Sequence, residues 1–385
     1  MANNRIAIAR EQQIFVVEES VPGTLVKPAA SNVVIAAGTG SINQQPTYTK
    51  SPEIVNSRDV LEQFRNPMPP GEWQFPILAR ASGSAGTAPP GAALYKALMG
   101  KEAVNAGTDV RYEQQMQKPS ISIWLLKSHS MIFCWGATVG TGRVGLSGGS
   151  EGGIMWDFSG QFMGMGWVGT SPLTANVGSG DDTLHVETPE NYTVGGYVVI
   201  GDDDNGGAGY RITAVDDTAK TLTIAPAADS GASSGDYVTP WVPSGVTVSG
   251  HPIEICGSYA RFNDIETPVQ TMDFTINDAP KYLDDEITAA CEPKSYAEVQ
   301  RDISGALKIY FREKDLSYFR YGRENVTNKI ELVADNGPGR TMIVECPKCR
   351  LTVPNIEDAD PTVALNMNIQ ALGTDGEDSC SIIWK

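Results

Sequence analysis

Apolar and polar residues alternate along this chain in short runs, and glycine, proline and aspartate separate one run from the next. The clearest run, residues 269–276, sets Met272, Phe274 and Ile276 against Thr271, Asp273 and Thr275. Period-two patterning of that kind predicts a strand with one buried face. Strands are expected on the same ground at 14–17, 33–37, 41–51, 73–78, 120–126, 131–135 and 154–163. A second set is expected at 305–311, 328–333, 342–345, 363–372 and 381–384. Helical spacing is scarce. Its best instance is Ala92-Ala-Leu-Tyr-Lys-Ala-Leu-Met99, entered through Pro89-Pro90 and closed by Gly100, the order in which proline and glycine flank helices. The 40 Gly and 24 Pro cluster between the runs, so the fold class is all-β with many turns.

The pattern is written twice. Residues 130–139 precede an alternating strand at 153–158 and a stop at Met163-Gly164, and 341–353, 362–367 and Leu372-Gly373 repeat that order. Internal similarity sets the architecture, so two tandem copies of one β unit are expected. The first occupies residues 1–168. Residues 169–243 differ in texture, with short strands at 182–186, 197–200, 209–213 and 221–224. They read as a small β-barrel inserted into the last hairpin of the first unit, at an exposed loop tip. Residues 244–385 hold the end of the first unit, about 244–262, and the second unit. There 305–311 takes the place of 73–78, 316–319 that of the helix, and 381–384 is matched by 253–259. Two long stretches without periodicity, 52–71 and 277–302, fall at the same place in both units.

The chain is long enough, at 385 residues, for two or three domains. Its net charge of −17 argues against a protein that grips nucleic acid through phosphates, which needs clustered Lys and Arg. Residues 1–10 lack the apolar stretch of a secretory leader, and no apolar run reaches membrane-spanning length. The six cysteines (134, 256, 291, 346, 349 and 380) are scattered rather than framed, as suits a reducing cytoplasm.

Candidate chemistry is thin. Gly140-Thr-Gly-Arg-Val-Gly145 fits a dinucleotide-loop string but leads into Leu-Ser-Gly-Gly, which cannot open a helix. Cys346-Pro-Lys-Cys349 is half of a zinc site. Cys380 offers a third thiol, but nothing supplies a fourth ligand, and His129, His185 and His251 stand apart. Asp202-Asp-Asp-Asn-Gly-Gly207 lacks the ligand spacing of a calcium loop and reads as a solvated turn. Asn191-Tyr-Thr193 and Asn325-Val-Thr327 match glycosylation acceptors, which matter only on secretion. No catalytic, cofactor-binding or metal-binding residues are assigned.

Several features together resemble the major tail tube proteins of long-tailed bacteriophages. They are the opening Val16-Val-Glu-Glu-Ser-Val-Pro-Gly-Thr24, the β unit from Ser41, residues 73–80 leading through Pro89-Pro90 to 94–100, and the stretches 269–276, 304–311 and 363–385. The resemblance covers nearly all of the chain outside 169–243. It implies β-sandwich units whose sheets join across subunits around a channel of DNA width, in rings that stack into the virion tail. Two fused units imply a homotrimeric ring with pseudo-sixfold symmetry, made in the host bacterial cytoplasm. Implied partners are further copies of the chain, a tape measure protein and tail tip or terminator proteins. Genome DNA would pass the lumen without specific binding, helped by an acidic wall. Stretches 52–71 and 277–302 would contact stacked rings, and 169–243 would decorate the outside.

Two other readings compete. A capsid decoration or baseplate protein would share the β-sandwich character but would not need two matched units with long arms. A carbohydrate-binding or carbohydrate-acting protein could use Trp73, Trp124, Trp135, Trp156 and Trp167 as stacking platforms. Trp124 and Trp156, however, lie in alternating strands, where tryptophan is usually core.

Overall fold

The computed structural model describes residues 10–53, 59–149, 152–286, 292–359 and 361–385. Cys291 lies outside them. The chain is all-β, with two short α-helices among the described residues, Ala92–Met99 and Ser317–Arg323. Helix Ala92–Met99 begins after Pro89-Pro90 and is bracketed by Gly91 and Gly100, both at positive φ (81° and 106°). The expected glycine stop is therefore a conformational requirement.

Alternation produces two stacked layers. One is a five-stranded antiparallel sheet in the order Gly164–Val168, Ser130–Ala137, Ile121–Lys127, Gln12–Glu18, Val33–Val34. Ile14, Val16, Ile123 and Leu125 point from it into the main core, and Phe15, Trp124 and Phe133 point from its opposite face into a second core. Facing the first side is a continuous sheet that runs Ser41–Asn43, Gly71–Leu78, Met155–Phe162, Thr141–Ser147, Thr271–Asn277, Asp302–Tyr310, Thr362–Ala371. From there it turns through Thr341–Leu351, Thr327–Asp335, Ser258–Phe262 and Ile265–Thr267 into a second outer layer.

Strand order repeats as the sequence pattern does. In the inner layer, Ser41–Asn43, Gly71–Leu78, Met155–Phe162 and Thr141–Ser147 correspond to Thr271–Asn277, Asp302–Tyr310, Thr362–Ala371 and the edge of Asn355–Ala359. In the outer layer, Ser258–Phe262 lies beside Thr327–Asp335 as Gln12–Glu18 lies beside Ile121–Lys127. Ser381–Trp384 flanks Thr341–Leu351 as Gly164–Val168 flanks Ser130–Ala137. The expected match of 381–384 with 253–259 therefore fails. Both are short apolar runs, and only their pairing distinguishes them.

One core spans both units. Tyr95 on the first helix meets Trp156, Phe158, Tyr112 and Trp384 at ring-centroid distances of 5.4–5.5 Å. Burial of each such ring contributes roughly 1.5–3 kcal/mol from its apolar area. Hairpin Gly100–Asn105/Asp109–Gln114 leaves the first unit and adds to the free edge of Ser381–Trp384.

Residues 171–240 form a six-stranded sheet in the order Ser171–Pro172, Tyr237–Pro240, Tyr197–Ile200, Tyr210–Asp216, Thr221–Ala225, Thr183–His185. Its two edges meet at the bridge Leu173–Val186 and through the Ser171 hydroxyl, which accepts from Thr188, but no strand ladder joins them, so the expected barrel is an incompletely closed sheet. Leu184, Val198, Ile212 and Leu222 share a core with Phe15, Trp124 and Phe133. This sheet therefore covers the face of the five-stranded sheet that points away from the inner layer.

Candidate assembly interface

The two units meet edge to edge. Strand Thr141–Ser147 pairs antiparallel with Thr271–Asn277 along its full length, from Thr141 opposite Asn277 to Ser147 opposite Thr271. Arg143 Nη2 reaches across to Asp273 Oδ2 at 2.9 Å, and Asp273 Oδ1 accepts from the Ala306 amide. Gly142 makes the close approach possible, because a Cβ there would lie 2.4 Å from the Leu98 side chain. From Thr141 on, the string 140–145 is thus a strand at the unit junction, with no helix after it to face a phosphate.

Beyond the junction strand the second unit sends an arm back over the first. The expected irregular stretch 277–302 contains a ribbon, Lys281–Tyr282 paired with Tyr296–Ala297. Tyr282 is buried, with its phenol oxygen 2.7 Å from the Gly136 carbonyl, 2.9 Å from the Gln161 carbonyl and 3.1 Å from the Thr138 hydroxyl. At the arm's base the Lys118 ammonium donates to the Asp278 carbonyl and lies 3.3 Å from its carboxylate. Arg301 Nε closes on that carboxylate at 2.7 Å. Burial pulls the Lys118 ammonium below its ordinary range, against the pull of Asp278 and Glu298. Burial also pushes the Glu298 carboxyl up.

The first unit has an arm too. Stretch 52–71, expected to be irregular, ends in strand Gln63–Arg65, which pairs with Tyr48–Lys50. Ribbons of two or three residues are too short to show a period. This arm is open: Tyr48, Val60, Leu61 and Phe64 are all exposed. Among the described residues the inner sheet also has two free edges, Ser41–Asn43 at one end and Asn355–Ala359 at the other, where Val353 and Ile356 are exposed. Unpaired edges with exposed apolar side chains are templates for strand addition.

The other flagged residues serve the fold. Cys346 and Cys349 bracket a bulge and are fully buried; Cys380 is buried in contact with Cys346. Those two neighbouring thiols and burial hold Cys346 well above the ordinary thiol range. Among the described residues no group of His, Cys, Asp and Glu is arranged to hold a metal. Asp203 and Asp204 accept backbone N–H groups of Asn205, Ser230 and Gly207, which makes a self-satisfied turn. Trp73, Trp124 and Trp156 are core residues, leaving Trp167 as the exposed one of the five.

Two features escape the sequence reading. Glu19 is buried and accepts from Gly23 N, Ser120 Oγ, Ser122 Oγ and Gly136 N at 2.7–2.8 Å, which pins the turn after Gln12–Glu18 beneath the arm's seat. No local signal announces such an anchor. The other feature is a repeat, Ser41-Ile-Asn-Gln-Gln-Pro-Thr-Tyr48 against Thr275-Ile-Asn-Asp-Ala-Pro-Lys-Tyr282. Aligning the two halves would have found it.

Two matched sandwich units, joined in one sheet with both edges open, define a protein built to polymerise. A family model described as phage tail tube protein matches residues 9–371, and the chain belongs to that family. It is a structural protein of the virion tail that assembles with itself into the tube. A chain from the virion of a native gene transfer agent particle is 9% identical, covering 31% of this chain and 93% of its own at a TM-score of 0.26. That likeness carries no weight for the fold. No curated protein matches.

Proposed function

We propose that three copies close the inner sheet into a ring with pseudo-sixfold symmetry, and that rings stack into a hollow tube through which genome DNA passes. The observation that carries this reading is the internal junction. Thr141–Ser147 pairs with Thr271–Asn277 inside one chain. The edge of Asn355–Ala359 corresponds to the first of these strands and Ser41–Asn43 to the second, so one chain's end can pair with the next chain's beginning. Ring closure pairs both free edges of the inner sheet.

The units divide at about residues 10–168 and 258–385 in this reading. Segment 258–262 opens the second unit, because its pairing repeats that of Gln12–Glu18. Residues 169–243 lie outside the tube, on the face of the outer sheet remote from the inner layer. The lumen wall is the solvent side of the inner sheet. There Ser, Thr, Asn and Gln predominate, and Arg143 and Lys308 are paired with Asp273 and Glu357. Such a wall offers phosphates few free cations. The chain acts by assembly rather than catalysis, with a tape measure protein and tail tip or terminator proteins as further partners.

Electron microscopy of the concentrated full chain tests this. Hollow stacked rings of three chains are expected. Rings of six chains, or closed oligomers that never stack, would overturn it.

A further inference from the structure

We infer that Tyr48 is a latch between neighbouring copies, seating in the partner's second unit at the bulge between Cys346 and Cys349 as Tyr282 seats in its own chain's first unit. The inference deepens the ring reading and rests on it.

The two tyrosines occupy one position of a repeated element. Each ends a Ser/Thr-Ile-Asn-x-x-Pro-x-Tyr stretch, at residues 41–48 and 275–282. Strand register agrees: Ser41, Ile42 and Asn43 pair with Gln74, Trp73 and Glu72, and Thr275, Ile276 and Asn277 with Ser304, Ile303 and Asp302. Each tyrosine then enters a two-stranded ribbon, opposite Arg65 in one arm and Tyr296 in the other. What differs is the neighbour. Tyr282 has a unit beyond its edge strand and is 3% exposed, whereas Tyr48 has none in the chain and is 57% exposed. A large aromatic held open on an ordered ribbon fits a surface that is covered on assembly.

The seat is repeated as well. In the first unit Trp135 and Gly136 bulge opposite Ser122, between Cys134 and Ala137, and the Gly136 carbonyl receives the Tyr282 phenol. In the second unit Pro347 and Lys348 bulge opposite Lys329, between Cys346 and Cys349. Cys134 and Cys346 are both fully buried at the same register position. The CxxC spacing is therefore the signature of this bulge. Bulges re-aim backbone groups away from the ladder, as an incoming hydroxyl requires.

Chemistry beside the seat changes in step. Lys118, three residues before Ile121 opposite Ala137, pairs with Asp278. The matching positions are Asn325, three residues before Asn328 opposite Cys349, and Gln44. An ion pair buried permanently within the chain becomes two neutral amides where the contact forms only on assembly. Amides avoid the desolvation of free charges during ring closure.

The test replaces Tyr48 of the full chain with the photoreactive p-benzoylphenylalanine and irradiates the assembled protein. Cross-linked dimers are expected, with mass mapping joining position 48 to residues 346–350 of another copy. The same probe at position 282 should react within its own chain, near residues 136–138. Tyr48→Ala should leave the monomer's melting temperature unchanged and cut tube formation at least tenfold, with Tyr48→Phe between the two. Tubes in which position 48 links to any other surface, or a Tyr48→Ala chain that assembles like the parent, overturn the latch and leave the ring standing. Failure of the parent chain to form any oligomer overturns both.

Discussion

Lys118 of the first unit and Asp278 of the second form an ion pair at 3.3 Å in which neither side chain is more than 2% exposed. Arg301 also holds the Asp278 carboxylate, at 2.7 Å, so the two partners are not equivalent. Lys118→Met removes a buried cation and leaves Asp278 neutralised by Arg301. Asp278→Ala strands the Lys118 ammonium with two backbone carbonyls and Glu298 at 3.7 Å. Breaking a buried pair so that one charge remains costs about 3–5 kcal/mol, whereas apolar replacement can be nearly neutral. Denaturant titration of the two variants should therefore rank Asp278→Ala well below Lys118→Met. The reverse order would show that the arm's base is held by something other than this pair.

Two glycines separate space that can yield from space that cannot. A Cβ on Gly160 would meet the Thr138 carbonyl oxygen at 1.8 Å, next to the seat of Tyr282. A Cβ on Gly142 would meet the Leu98 side chain at 2.4 Å, and that side chain can rotate. Gly142→Ala should cost about 1–3 kcal/mol as ordinary overpacking. Gly160→Ala must move backbone and should cost more, with loss of the arm's protection in hydrogen exchange. Equal melting temperatures for the two variants would contradict this account.

Alternation made most strands legible, because Met272, Phe274 and Ile276 must be buried on one side of any strand that holds them. The junction strand Thr141–Ser147 was not legible. Gly142 and Gly145 are there for close packing and carry no β signal of their own. Of the arms, Tyr48–Lys50 fell within the strand expected at 41–51, whereas Gln63–Arg65, Lys281–Tyr282 and Tyr296–Ala297 escaped because each is only two or three residues long. The open edges of the inner sheet are legible only by comparison, since Ser41–Asn43 stands out through its likeness to Thr271–Asn277 and not through its own composition.

Thiol chemistry offers a check on the core. Cys134, Cys346, Cys349 and Cys380 are buried and Cys256 is exposed. Burial also pushes the Cys134 thiol up, and only the thiolate reacts. A maleimide or aromatic disulfide reagent should modify Cys256 rapidly in the native chain. The four buried thiols should react only at the rate of unfolding. Rapid native labelling of Cys346 or Cys349, read by peptide mapping, would mean that the second bulge opens in the free chain.

Alkali should release the second arm. Burial holds the phenols of Tyr95 and Tyr282 above their ordinary range and moves Tyr296 up to about 12. An unfolded tyrosine titrates near about 10. Above that pH the unfolded chain has lost protons that the folded chain still holds, so stability is full below about pH 10 and falls as pH rises towards the folded values. Each fully buried phenol contributes a slope of up to about 1.4 kcal/mol per pH unit. Tyr282→Phe should lower stability at neutral pH by about 1 kcal/mol, the net worth of a hydrogen bond. It should also flatten the alkaline slope, because one titrating phenol is gone. The two curves of urea midpoint against pH should converge above about pH 10. Parallel curves would mean that the Tyr282 phenol does not titrate on unfolding, and the hydrogen bonds to Gly136 and Gln161 would then not be what fixes the arm.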